Sequence, residues 1–165
     1  MTSKLEPGAS APGFDLPGTA GQNVSLASLR GKKVVLYFYP EDDTPGCTQE
    51  SCDFRDNLGP LRDAGAEVIG VSQDPLESHA RFKTKFDLPF VLLTDEGNAV
   101  AKAYGAYGEK NLYGRIKTGI IRSTFLIDEA GKIAAVWSPV RVPGHVEKVL
   151  AAVKGEAPPK RPRKA

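Results

Sequence analysis

The spacing of apolar and polar residues changes period several times along the chain. Lys33 to Tyr39 (KVVLYFY) is an unbroken apolar, β-branched and aromatic run ended by Pro40, the pattern of a strand buried on both faces and the expected centre of a sheet. Glu41 to Gly46 is rich in turn residues. From about Cys47 to Ala64 the period becomes helical, with Phe54, Leu58 and Leu61 at i, i+4 and i+7. The logic then repeats. Glu67 to Ser72 reads as a strand, Pro75 to Phe86 as a helix with proline near its start, and Phe90 to Leu93 as a strand. Strands alternating with helices in this way predict parallel β-α-β units.

Asn98 to Tyr104 fits a short helix, whereas Tyr107 to Gly119 shows glycines and little periodicity and reads as a loop. Thr124 to Ile127 and Lys132 to Trp137, separated by Asp-Glu-Ala-Gly, predict a β-hairpin with Gly131 at the position that tolerates positive φ. A last helix, about Gly144 to Val153, presents Val146, Val149, Leu150 and Val153 on one face. The fold class that follows is α/β: a central mixed sheet flanked by helices in a three-layer α/β/α sandwich.

With 165 residues, 41% hydrophobic and 25% charged, the chain suits one self-sufficient core. The expected organisation is a single domain over 1–154 and a basic, Pro-rich disordered tail over 155–165. That tail places Lys160, Arg161, Arg163 and Lys164 among three prolines with no large apolar residue after Pro158, so it buries too little to offset its ordering entropy. Without the tail's cations the remainder is mildly acidic, which argues against nucleic acid as a partner. No apolar run approaches the roughly 18 to 20 residues of a membrane span, and the polar start has no secretory signature. A soluble, cytoplasmic protein is expected. Two cysteines are too few for a disulfide-stapled scaffold, so their role is expected to be chemical.

The chemistry concentrates in Pro40-Glu-Asp-Asp-Thr44-Pro-Gly-Cys47-Thr-Gln-Glu-Ser-Cys52, which sets a thiol where a loop becomes a helix. The thiolate is the nucleophile, and an ordinary cysteine with pKa about 8.5 holds only a few per cent of it at neutral pH. Free N–H groups and the positive end of the helix dipole in a first turn favour that anion. Pro45 and Gly46 ease close approach of the backbone, Pro40 has no N–H and can lie against the sulfur and shield it, and Thr44 offers a hydroxyl that can orient an incoming substrate. A cation is still needed. Arg122, directly before the predicted strand at Thr124, is the candidate. In an intact helix residues i and i+5 lie roughly 8 to 9 Å apart at Cα, beyond the reach of about 7 Å that a disulfide tolerates. If Cys47 and Cys52 share a helix, bonding them therefore requires local unwinding.

These residues resemble the peroxiredoxins, and among them the bacterioferritin comigratory protein (Q-type) subgroup, through Pro40-x-x-x-Thr44-x-x-Cys47 with Cys52 five residues on. Further matching stretches are FYPEDDTPGCTQESCDFRD at 38–56, LLTDEGNAVAKAYGAYG at 92–108 and RSTFLIDEAGKI at 122–133. The resemblance implies a thioredoxin-like fold, a Cys47 sulfenic acid formed by attack on a hydroperoxide, and an intramolecular Cys47–Cys52 disulfide recycled by thioredoxin or a related dithiol protein. It implies catalytic roles for Thr44, Arg122 and Pro40, and no cofactor or metal. The quaternary state stays open between monomer and weak dimer.

Other readings are weaker. A metal site from Cys47, Cys52, His79 and His145 lacks ligand spacing, and the histidines are expected to be exposed or capping. Gly105, Gly108 and Gly114 lack the Lys-Ser/Thr that a phosphate loop requires. A thiol-disulfide oxidoreductase or redox sensor on the same fold is the competing function, but a dithiol reductase usually presents C-x-x-C, and four residues separate the cysteines here.

Overall fold

The computed structural model describes residues 5–112 and 114–155. In chain order the elements are β1 (Asp15–Pro17), β2 (Asn23–Ser25), β3 (Lys33–Phe38), α1 (Pro45–Asp56), α2 (Leu58–Asp63), β4 (Ala66–Ser72), α3 (Leu76–Phe86), β5 (Val91–Thr94), α4 (Ala99–Ala103), β6 (Tyr107–Leu112), β7 (Arg115–Ile120), β8 (Ser123–Ile127), β9 (Ile133–Trp137) and α5 (His145–Val153). The main sheet has the order β5-β4-β3-β8-β9, with β3, β4 and β5 parallel and β8 and β9 antiparallel to their neighbours. The expected central strand is central, with Leu36 facing Ile69 on one side and Phe125 on the other.

Its residues alternate between two cores. Val35, Tyr37 and Tyr39 pack with Phe54 of α1, Leu61 of α2, Phe82 of α3 and Val149 of α5, while Val34, Leu36 and Phe38 pack with Ala101 of α4, Tyr104, Phe125 and the N-terminal segment around Phe14. Because successive side chains of a strand point to opposite faces, one apolar run serves both layers. The outcome is the three-layer α/β arrangement. Gly70 on β4 makes room for this packing: a Cβ there would stand 2.9 Å from the Tyr37 ring and 2.8 Å from Leu92.

Three expectations change. The single helix expected over 47–64 is two, because the ring of Pro60 would clash with the carbonyl of residue 56; restarting the helix at Leu58 puts Pro60 in a first turn, where it is tolerated. Pro75 lies just outside α3 as its N-cap. Tyr107 to Gly119, read as a loop, forms the antiparallel ladder β6–β7, pairing Tyr107 with Ile120 and Lys110 with Lys117. Its outer strand is exposed from Arg115 to Thr118, so no buried face imposes an apolar alternation on the sequence. The β8–β9 hairpin forms as expected, with Gly131 at φ +84°. No helix among the described residues is long and apolar enough to cross a membrane. All of the predicted tail except Gly155 lies outside the described residues.

Candidate active site

β3 leaves the sheet at Tyr39, the chain turns through Pro40 to Thr44, and α1 begins at Pro45. Thr44 is the N-cap in extended conformation, which makes Pro45, Gly46 and Cys47 the first three helical residues. Proline suits the first position because its missing N–H would have no helical partner there. The first intrahelical bond is Thr48 N–H to Thr44 O at 2.8 Å, so the N–H groups of Gly46 and Cys47 are not used by the helix. Thr44 does not cap them with its side chain. Its hydroxyl instead donates to Glu41 O at 2.9 Å, leaving the oxygen's lone pairs free to accept.

Cys47 is 1% exposed, at the junction of helix and sheet. Arg122, one residue before β8 and next to β3 in the sheet, brings its guanidinium close enough to Cys47 for the two to interact electrostatically. It also lies against Gly46, where a Cβ would stand 3.1 Å from Nη2. The cation expected at the thiol is there, and Gly46 lets it close in. Pro40 is half-buried at the strand exit, and Cys52 is half-buried on the same intact helix as Cys47, both thiols free. Burial chiefly, with Asp56 and Asp53 adding, pushes the Cys52 thiol up against the opposing pull of Arg55.

Two charged residues reach the site without having been singled out in the sequence. Glu50, on α1 one turn past Cys47, is fully buried, and its Oε1 accepts from Arg122 Nη1 at 2.7 Å while Oε2 has no partner. Burial raises its pKa to about 7 although Arg122 pulls it down. Glu50 had a signal in sequence, three residues beyond Cys47 and so on the same side of the helix. Lys110 comes from β6, the segment read as a loop. Its Nζ donates to Ile120 O at 2.6 Å, and burial, then Arg122, lowers its pKa while Cys47 raises it.

Both histidines are corrected from exposed to buried. His79, on α3, turns Nδ1 to Asp42 Oδ2 at 2.8 Å and Nε2 to Leu93 O at 3.0 Å. His145, at the start of α5, meets Thr124 Oγ1 at 2.8 Å and sets its ring edge-on to Phe54 and Trp137. Their partners come from other elements, which the local sequence does not display. Among the described residues Asp42, Asp74 and His79 bring one ligand-type atom each within 4.8 Å of one another. Those atoms already serve hydrogen bonds: Asp42 Oδ2 accepts from Ser78, and Asp74 Oδ2 from Ser72 and the Asp42 amide. The trio is a hydrogen-bond hub. The four-residue metal site weighed from the sequence is not assembled, since each histidine is engaged away from the thiols.

Comparison with known proteins agrees with the geometry. The AhpC/TSA family model matches residues 7–136. Peroxiredoxin Bcp of Bacillus subtilis is 45% identical over 150 residues, covering 91% of this chain and 96% of that protein. Peroxiredoxin Bcp of Escherichia coli is 42% identical over 153 residues, covering 93% and 98%. A solved structure of the bacterioferritin comigratory protein of Xanthomonas campestris, studied for alkyl peroxide reduction, superposes with a TM-score of 0.83 at 40% identity, covering 92% of this chain and 96% of that one. A peroxiredoxin 6 from Arenicola marina shares the fold at 19% identity with a TM-score of 0.77. A buried thiol at a helix start, a guanidinium against it and these likenesses along most of the length lead to one assignment: the chain belongs to the AhpC/TSA family, among the Bcp-type peroxiredoxins.

Proposed function

We propose that the protein is a thiol peroxidase that reduces hydrogen peroxide and organic hydroperoxides, with Cys47 as the attacking thiolate. The observation that carries this reading is the Cys47 sulfur held at the start of α1 beside the Arg122 guanidinium. In the first step the thiolate attacks the distal peroxide oxygen, a Cys47 S–O bond forms as the O–O bond breaks, and the leaving oxygen departs as water or an alcohol after taking a proton. Arg122 stabilises the negative charge shared among the sulfur and the two oxygens. Thr44 accepts the peroxide O–H on an oxygen whose own hydrogen is committed to Glu41, and Pro40 closes the pocket with a residue that brings no competing donor.

In the second step the Cys52 sulfur attacks the Cys47 sulfenic acid, releasing water and leaving a Cys47–Cys52 disulfide. Both thiols start on one helix, so α1 must unwind first. Unwinding also takes Cys52 away from the burial that holds it as a thiol, so it gains nucleophilic character when it is needed. A dithiol reductant of the thioredoxin kind then reduces the disulfide by exchange.

Rapid-mixing peroxide consumption with thioredoxin and its reductase tests the assignment. Cys47→Ser is expected to abolish turnover, and Cys52→Ser to complete one turnover and stall as a sulfenic acid detectable by dimedone. Sustained thioredoxin-dependent turnover by Cys52→Ser would remove Cys52 from the cycle.

A further inference from the structure

The loop that carries Thr44 is held from outside the cysteine site. The peptide linking Glu41 and Asp42 is gripped at both ends: its carbonyl accepts the Thr44 hydroxyl at 2.9 Å, and its N–H donates to Asp74 Oδ2 at 2.7 Å. A trans peptide is planar with its C=O and N–H pointing opposite ways, so fixing one end aims the other. Asp74 is itself fixed. Its Oδ2 accepts from Ser72 Oγ at 2.9 Å, its N–H donates back to that oxygen at 3.1 Å, and its carbonyl accepts from Thr94 Oγ1 at 2.8 Å. Thus Ser72 at the end of β4 holds the Asp74 carboxylate, and Thr94 at the end of β5 holds its backbone.

The loop needs such a grip. Asp43 has φ +60°, a left-handed conformation that costs a non-glycine residue about 1 kcal/mol or more. The Asp42 side chain adds a second anchor: it accepts from Tyr39 Oη at 2.6 Å and Ser78 Oγ at 2.7 Å and faces His79 Nδ1 at 2.8 Å. A released peptide would have an available alternative. Threonine at an N-cap ordinarily turns its side-chain oxygen onto the N–H of the second or third helical residue. Here those are Gly46 and Cys47, the second of which bears the sulfur. Capping them would occupy the Thr44 lone pairs and turn them from the substrate.

We propose that Asp74 is a positioning residue for peroxide reduction, acting through the Glu41–Asp42 peptide to hold the Thr44 hydroxyl as an acceptor for the peroxide O–H. This rests on the peroxidase reading and on Thr44's part in it. The chain is Asp74 carboxylate, Asp42 N–H, Glu41 C=O, Thr44 O–H, peroxide. Each link but the last is a hydrogen bond or a shared peptide plane in the structure.

The test compares two reactions of Cys47 in the reduced full-length protein: hydrogen peroxide consumption, which needs Thr44, and iodoacetamide alkylation mapped to Cys47 by mass spectrometry, which does not. Asp74→Ala is expected to slow the peroxide reaction by about tenfold or more, since misplacement of an orienting group costs about that. Alkylation is expected to stay within about twofold. Asp74→Asn, which keeps an acceptor for the Asp42 N–H, is expected to restore most of the peroxide rate. In a Thr44→Val background Asp74→Ala is expected to have no further effect, because the two act in series. Should Asp74→Ala fold poorly, Ser72→Ala loosens the carboxylate while retaining Asp74 and is expected to lower the peroxide rate selectively. Losses from Thr44→Val and Asp74→Ala that multiply, or equal slowing of peroxide and iodoacetamide reactions, would overturn the proposal while leaving the peroxidase reading intact. A wild-type peroxide rate in Thr44→Val would overturn both the Thr44 role and this proposal. Absence of any peroxide reaction in the wild-type chain would remove the peroxidase reading itself.

Discussion

Glu50 shares a guanidinium with the sulfur three residues before it, because Arg122 donates to its Oε1 and also reaches Cys47. Burial, opposed by Arg122, places its titration at about 7, so its charge changes within the working range of the site. Above that pH an ionised Glu50 competes with the Cys47 thiolate for Arg122; below it the guanidinium is left to the sulfur. The pH profile of the peroxide rate is therefore expected to contain a step near 7 that Glu50→Gln removes, as rapid mixing across pH 5.5 to 8.5 would show (about one unit either side of the midpoint or more). A profile unchanged in Glu50→Gln would separate this carboxylate from the chemistry. Cys47 and Thr44 stood out in the sequence because a turn and a helix start lie in one short segment, whereas Arg122 was singled out by its place before a strand and by the family resemblance. Glu50 showed in the sequence only its place three residues beyond Cys47; its pairing depends on Arg122, 72 positions away.

At the scale of elements, the proposed cycle asks α1 both to hold the thiolate and to come apart. What holds it is buried polar and aromatic contact with β3. Tyr37 Oη and Ser51 Oγ lie 2.7 Å apart in a buried bridge between strand and helix, and the Tyr37 ring stacks on Phe54 at 4.8 Å between centroids. Removing one partner leaves a buried hydroxyl unsatisfied, at a cost of about 1 to 3 kcal/mol. Ser51→Ala is expected to lower stability by about that amount and to speed disulfide closure after a single peroxide pulse, because the bridge breaks as α1 unwinds. Equal closure rates in Ser51→Ala and wild type would place unwinding elsewhere. The strands and helices that sandwich the core were legible because burial imposes a period. The β6–β7 ladder was not, since its outer strand is exposed and its glycines read as loop; the interruption at Asn57 turned on Pro60, which could be tolerated only by restarting the helix.

Across the whole molecule, two buried titratable groups oppose one another in their effect on stability. His145 titrates at about 4, its charged form disfavoured first by burial and then by Lys148 and Arg122. Its folded pKa is below the unfolded value, so its contribution is present above about 6.5 and lost as pH falls toward 4, on the order of 3 kcal/mol in all. Glu50 has the opposite sign. Its folded pKa is above the unfolded value, so its contribution is full below about 4.5 and lost as pH rises through 7. Between roughly pH 4.5 and 6.5 the two slopes offset. Urea titrations are expected to show Glu50→Gln losing stability on acidification and His145→Gln losing it on alkalinisation, each steeper than wild type. Neither slope was legible in sequence, where His145 was expected to be exposed or capping; its burial comes from the closure of α5 over Thr124, Phe54 and Trp137. That closure has an optical consequence. The chain's single tryptophan stands 5.7 Å from the His145 ring, which stands 6.2 Å from Phe54 on α1. Unwinding of α1 that reaches Phe54 is expected to open this edge-on cluster, so the intrinsic emission of Trp137 is expected to follow oxidation and reduction without a label attached to the protein.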